Sequence, residues 1–167
     1  MKKIIRLLPI IPLMFTILPS QSVLDKYGDR IELLGIPFKG PMELCQILIA
    51  AFLFIAFFQS GLDKIVDRDG NLEFLKTHFS GSPLVKIIPT LLLLLTFLEI
   101  IGSLILGYGV YYAFVNRSTL WIFYGFVVIA ITIIILFAGQ RIAKDYLGAA
   151  DLVPYFILIM LGIMSMY

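Results

Sequence analysis

The sequence predicts an all-α integral membrane protein, an antiparallel bundle of four transmembrane helices with an extra apolar anchor segment at its N-terminus. Three observations carry that prediction. Of 167 residues, 60% are hydrophobic and 14% charged, where soluble domains hold roughly 45–50% and about 25%. Mean hydropathy is +1.02. Four apolar runs approach the roughly 20 residues that a helix needs to cross the hydrocarbon core.

Residues 1–22 (MKKIIRLLPIIPLMFTILPSQS) have the basic start and apolar stretch of a signal peptide but no clear small-x-small cleavage site. The uncharged stretch 7–18 would reach only about 18 Å as a helix, and Pro9, Pro12 and Pro19 interrupt or end it. It is read as an uncleaved anchor. Residues 25–39 (DKYGDRIELLGIPFK) read as an interfacial connection. The organisation is therefore an N-terminal anchor and connection over 1–41 and a membrane domain over 42–167.

The first span is 44–60, the second 87–115, the third 120–139 and the fourth 152–167. A long charged stretch, 61–86, joins the first two. A tight turn at 116–119 and a short polar connection at 140–151 join the others. In the long connection, Asp67-Arg68-Asp69-Gly70-Asn71 opens like a calcium loop. It fails because Leu72 stands where the turn glycine belongs and His78 where the bidentate glutamate belongs. Asn71 is instead expected to cap a short helix that lays Leu72, Leu75 and Phe79 on the membrane surface. Basic residues divide almost evenly between the two sides if only four spans cross, and very unevenly if the N-terminal segment crosses too, so orientation stays open.

The composition excludes several classes of chemistry. A net charge of +2 is too small and dispersed for a nucleic-acid partner. A single cysteine, Cys45, excludes an internal disulfide or a CxxC redox pair, and reads as a small packing residue. A single histidine, His78, excludes multi-His ligation of a metal or haem by one chain. No metal site and no resident cofactor are expected, and any redox work would need a quinone or a partner's cofactor.

The polar residues suggest two candidate sites. Glu99 lies 13 residues past Lys86, about 20 Å along its helix and inside the hydrocarbon layer. It is either a group that contacts a proton, a quinone or a substrate, or a packed acid hydrogen-bonded to a neighbour such as Thr132. The second site follows from connectivity, which gathers Gln59, Asp63, Lys64, Gln140, Arg141, Lys144, Asp145 and Asp151 on one membrane side. There they either bind an anionic headgroup, a quinone or a partner protein, or simply snorkel and pair at the span ends. Tyr108, Tyr111, Tyr112, Trp121 and Tyr124 collect on the opposite side as an interfacial aromatic belt. Gly102 and Gly107 allow close helix approach.

Three stretches resemble the DoxX family: FQSGLDKIVDRDGNLEFLKTHFSGSPL after the first span, LEIIGSLILGYG in the second, and GQRIAKDYLGAADLVPYF between the third and fourth. The resemblance covers roughly residues 42–167, and its most specific pieces are Gly61 with Lys64, Glu99 with Gly102, and 141–149. It implies a small bacterial inner-membrane protein with a four-helix core. Some similar proteins are small subunits of a thiosulfate:quinone oxidoreductase, and others are associated with redox-stress complexes. The expected function is an accessory or structural subunit of a larger membrane complex. Its partners would be the bilayer and either another membrane protein or further copies of itself. The alternative is the membrane subunit of a quinone-linked oxidoreductase.

Overall fold

The computed structural model describes residues 31–33 and 35–166. The expected N-terminal anchor and the first part of the connection behind it lie outside those residues. The chain divides into two units, 1–44 and 45–167.

In the first unit, β1 (Ile31–Leu33) pairs antiparallel with β2 (Ile36–Phe38) in the register Ile31 to Phe38 and Leu33 to Ile36. The pair falls within the stretch expected to be an interfacial connection, and it is a short β departure from the expected all-α fold. The alternation of apolar and polar residues suits a strand, and Gly35 turns the chain with φ +79°, a conformation that costs glycine nothing. The helix α1 (Pro41–Val66) begins just beyond, with proline in its first turn, where the missing N–H costs nothing. Glu43 accepts the Lys39 backbone N–H at 2.6 Å there.

Four helices among the described residues are long and apolar enough to cross a membrane, which makes this a multi-pass membrane protein. After α1 come α2 (Arg68–His78), a 3₁₀ segment (Pro83–Ile87), α3 (Ile88–Asn116), α4 (Leu120–Ile142) and α5 (Tyr146–Met164). At 1.5 Å per residue the shortest of the four, the 19-residue α5, spans about 28 Å, close to the thickness of the hydrocarbon core.

Two boundaries move from their expected places. The first spanning helix runs on past Ser60 through Asp63 and Lys64 to Val66. The fourth begins at Tyr146, so the polar connection expected over 140–151 shrinks to 143–145. The cause is local hydrogen bonding. The Lys144 N–H bonds to Arg141 O at 3.2 Å and the Asp145 N–H to Gln140 O at 2.9 Å, with Lys144 left-handed at φ 64°. That pattern ends α4, and the Asp145 carboxylate then caps α5 by accepting the Gly148 N–H at 2.9 Å. A capped helix can leave the hydrocarbon layer without losing its hydrogen bonds, so the change in polarity does not mark its end.

A third correction concerns α2. Its N-cap is Asp67, whose Oδ1 accepts the Gly70 N–H at 3.1 Å. Asn71 sits inside the helix and donates its side-chain amide to Asp67 O at 2.7 Å.

Within residues 45–167 the helices pack through glycines. A Cβ on Gly61 would lie 2.7 Å from Ile100 Cδ1, and one on Gly107 would lie 3.0 Å from Phe54, so contact positions on α3 rise as those on α1 fall. The same order relates α3 to α4: Gly102 meets Ile129, Gly125 meets Leu106, and a Cβ on Gly109 would come 2.7 Å from the backbone nitrogen of Ile122. Gly162 on α5 faces Phe126 of α4. Such approaches supply close van der Waals contact where lipid removes any hydrophobic drive between helices. Leu53, Leu106, Ile122, Phe126, Ile129 and Ile159 are fully buried among them.

Candidate functional site

The site is built on one residue of α3 and three of α1. Glu99 is 2% exposed, and its carboxylate accepts from the Lys64 ammonium at 2.9 Å and 3.1 Å. Lys64, 19% exposed, also donates to Ser60 Oγ at 2.7 Å and to Ser60 O at 3.3 Å. Gly61 makes the geometry attainable. Because it has no side chain, α1 closes onto Ile100, the neighbour of Glu99, and Lys64 one turn later reaches the carboxylate. The result is a nearly closed set: one cation, one carboxylate held through both oxygens, and one hydroxyl.

Thr132 is not the partner of Glu99. It is fully buried on α4, and its hydroxyl donates to its own helix at Val128 O, 2.9 Å away. A threonine in a helix satisfies itself in this way wherever the carbonyl four residues back is in reach. The neighbouring Ser103 does the same to Ile100 O at 2.9 Å.

Of the residues expected to gather on one membrane side, Lys64 pairs with Glu99, and Gln140, Arg141, Lys144 and Asp145 lie at the end of α4 and the turn that follows it. At the turn between α4 and α5, the second oxygen of Asp145 bonds His78 Nε2 at 3.0 Å, tying α2 to that turn. The Gly148 N–H first, and the His78 ring second, hold the Asp145 carboxyl below the usual carboxylate range. The Arg141 guanidinium lies 4.7 Å from the centre of the Tyr146 ring. Gln140 Oε1 is buried without a hydrogen-bond partner among the described residues. Gln59, Asp63 and Asp151 are exposed. At the other end of the helices Tyr108 contacts Tyr111, Tyr112 and Trp121, with the Trp121 ring edge-on at 5.3 Å.

Three participants escaped the sequence reading. Ser60 stands four residues before Lys64, a spacing that places both on one helix face. His78, exposed on α2, is the partner of Asp145. Gln46, a polar residue in an apolar run, is buried and donates to Ser165 O at 2.8 Å, linking α1 to the end of α5. Cys45 is exposed, contrary to its expected packing role, because it lies one position away from the buried stripe that includes Gln46 and Ala50.

Among the described residues no group of three His, Cys, Asp or Glu side chains could hold a metal. Comparison with protein-family models, curated proteins and solved structures finds no match to the chain.

Proposed function

We propose that this chain is a DoxX-like bacterial inner-membrane protein, an antiparallel four-helix bundle with an N-terminal anchor, serving as an accessory or structural subunit of a larger membrane complex. The antiparallel arrangement is supported by the order of the glycine contacts, in which positions on one helix rise as those on its neighbour fall. The anchor is supported by the apolar composition of residues 7–18.

The observation that carries the functional reading is the closure of the Lys64–Glu99 pair. Intramembrane acids mark proton or substrate pathways, and they are also held by pairing with a cation inside the bundle. Glu99 has both oxygens on the ammonium and 2% exposure. A buried pair of this kind fixes how two helices register against each other, because any slip strands a charge in hydrocarbon. Gly61, Lys64 and Glu99, three of the positions on which the DoxX resemblance rests, meet in this one contact.

Native mass spectrometry of the protein, gently solubilised from its own membrane, tests the reading. A stoichiometric protein partner with no bound redox molecule is the expected result. A bound quinone lost on Glu99→Gln would replace it with the quinone-linked oxidoreductase reading.

A further inference from the structure

Beneath α2 lies a groove of about 280 Å³, roughly twice the volume of an apolar cavity of about 150 Å³ that holds a benzene molecule. Its walls come from α2 (Leu75) and the residue that follows it (Phe79), the 3₁₀ segment (Leu84), the start of α3 (Ile88, Leu92) and the end of α4, and Gln140 is their one polar side chain. On the α4 side the groove is open, since Ala138 and Ile142 are exposed and a Cβ on Gly139 would meet nothing within 4 Å. In a membrane that opening faces hydrocarbon. An empty apolar groove there would forfeit the dispersion contacts that a lipid chain supplies.

The charges around the groove select among lipids. Lys76 follows Leu75, Lys86 lies two residues before Ile88, and Arg141 precedes Ile142. Lys76 and Lys86 have no carboxylate partner among the described residues. Asp67 and Asp69 stand at the N-terminal end of α2, where they complement the helix dipole, while Glu73 lies in mid-helix, three residues before Lys76, and forms no ion pair among the described residues. Asp145, in the turn after α4, already accepts from Gly148 and His78. A second apolar groove of about 240 Å³, between α4 and α5 at Phe137 and Val153, has no Lys or Arg beside its lining residues, and Asp151 precedes its Leu152. Of these two grooves among the described residues, the one under α2 combines an apolar bed with lysines that have no carboxylate partner.

We propose that the groove under α2 is a binding site for one anionic phospholipid. One acyl chain lies along Leu75, Phe79, Leu92 and Gly139, and the phosphate is held by Lys76, Lys86 and Arg141. Polybasic segments beside membrane spans attract anionic lipid in the same way, and the groove adds a chain contact that fixes the lipid in place. The proposal rests on the membrane placement of the helices and is independent of which complex the chain joins.

The test uses the full chain, reconstituted in vesicles of equal parts palmitoyl-oleoyl phosphatidylglycerol and phosphatidylcholine, then extracted in mild detergent and read by native mass spectrometry. The wild type should retain about one phosphatidylglycerol per chain in preference to phosphatidylcholine. Lys76→Gln and Lys86→Gln should each lower that preference about fivefold, the effect of one cation near an anionic surface. Gly139→Leu keeps every charge and fills the groove, so it should remove the retained lipid. Far-UV circular dichroism and melting of Gly139→Leu, with Gly139→Ala alongside, establish that both variants fold. Retention unchanged in folded Gly139→Leu would reduce the effect to surface adsorption and overturn the site. So would equal retention of the two lipids, or retention of neither. Partner subunits appear in the same spectra, so loss of a partner and loss of the lipid are read separately.

Discussion

Replacing Lys64 with Met strands the Glu99 carboxylate at 2% exposure with neither of its ammonium contacts. Removing one partner of a buried pair costs about 3–5 kcal/mol, because the survivor keeps its desolvation penalty and loses its compensation. The expected loss lies at the low end, about 3 kcal/mol, since Lys64 is 19% exposed and part of the pair's attraction is already screened by solvent. Glu99→Gln keeps an acceptor for the ammonium and should cost about 1.5–2 kcal/mol, the difference between a charged and a neutral hydrogen bond together with the loss of charge pairing. In the double variant Lys64→Met with Glu99→Leu no charge is left behind, and stability should return to within about 1 kcal/mol of the parent. Equilibrium unfolding of the parent, Lys64→Met, Glu99→Leu and the double variant in mixed dodecylmaltoside and dodecylsulfate micelles, followed by far-UV circular dichroism, yields the cycle. A coupling of at least about 1.5 kcal/mol between the two positions is expected. Additive single effects would mean that the pair does not register α1 against α3, and the structural reading of Glu99 would fail with it.

Other consequences follow from the same contacts. The folded-state carboxyl of Asp145 is held below its usual value. Its contribution to stability is therefore complete above about pH 4, the unfolded range for Asp, and is lost as pH falls through the lower folded value. Melting temperatures measured from pH 6 down to pH 3 should show an acid-side decline that is shallower in Asp145→Asn, and identical slopes would refute the cap and the His78 contact as its source. A methyl on Gly109 would press on the Ile122 backbone, which cannot rotate away, so Gly109→Ala should destabilise by about 1–3 kcal/mol. Gly139→Ala meets open space in a helix and should stabilise by about 0.5–1 kcal/mol, which thermal denaturation of the two variants compares directly. Gln140→Met removes a buried carbonyl oxygen that has no partner, and chemical unfolding should show a gain of about 1 kcal/mol.

Much of the architecture was legible without coordinates, because hydropathy over 20 residues is a local property. The runs around Leu53, Leu106, Ile129 and Ile159 are apolar on every side, and only a helix satisfies their backbone within lipid. Helix ends were less legible. A reading that stops at the first charges ends α1 at Ser60, although the helix continues to Val66, and it starts α5 after Asp151, although the Asp145 cap starts it at Tyr146. Capping is chemistry of one or two side chains, so a window average passes over it. Read by local spacing, Asn71 took the capping role that belongs to Asp67.

The composition by itself determined that this chain resides in a bilayer, that it has no thiol pair or histidine set for redox or metal chemistry, and that Glu99 needs a partner wherever it is buried. Which partner it takes was a tertiary decision. Lys64 and Glu99 are 35 residues apart and meet only because Gly61 lets α1 settle onto Ile100, at an offset that no spacing within either helix encodes. Thr132, equally central in its own span, turned inward to its helix instead. The same holds for His78 and Asp145, 67 residues apart, which bring α2 down over the groove. Burial, pairing and the shape of that groove depend on how far one helix slides past another, a quantity set by the sum of many close contacts and carried by no single stretch of chain.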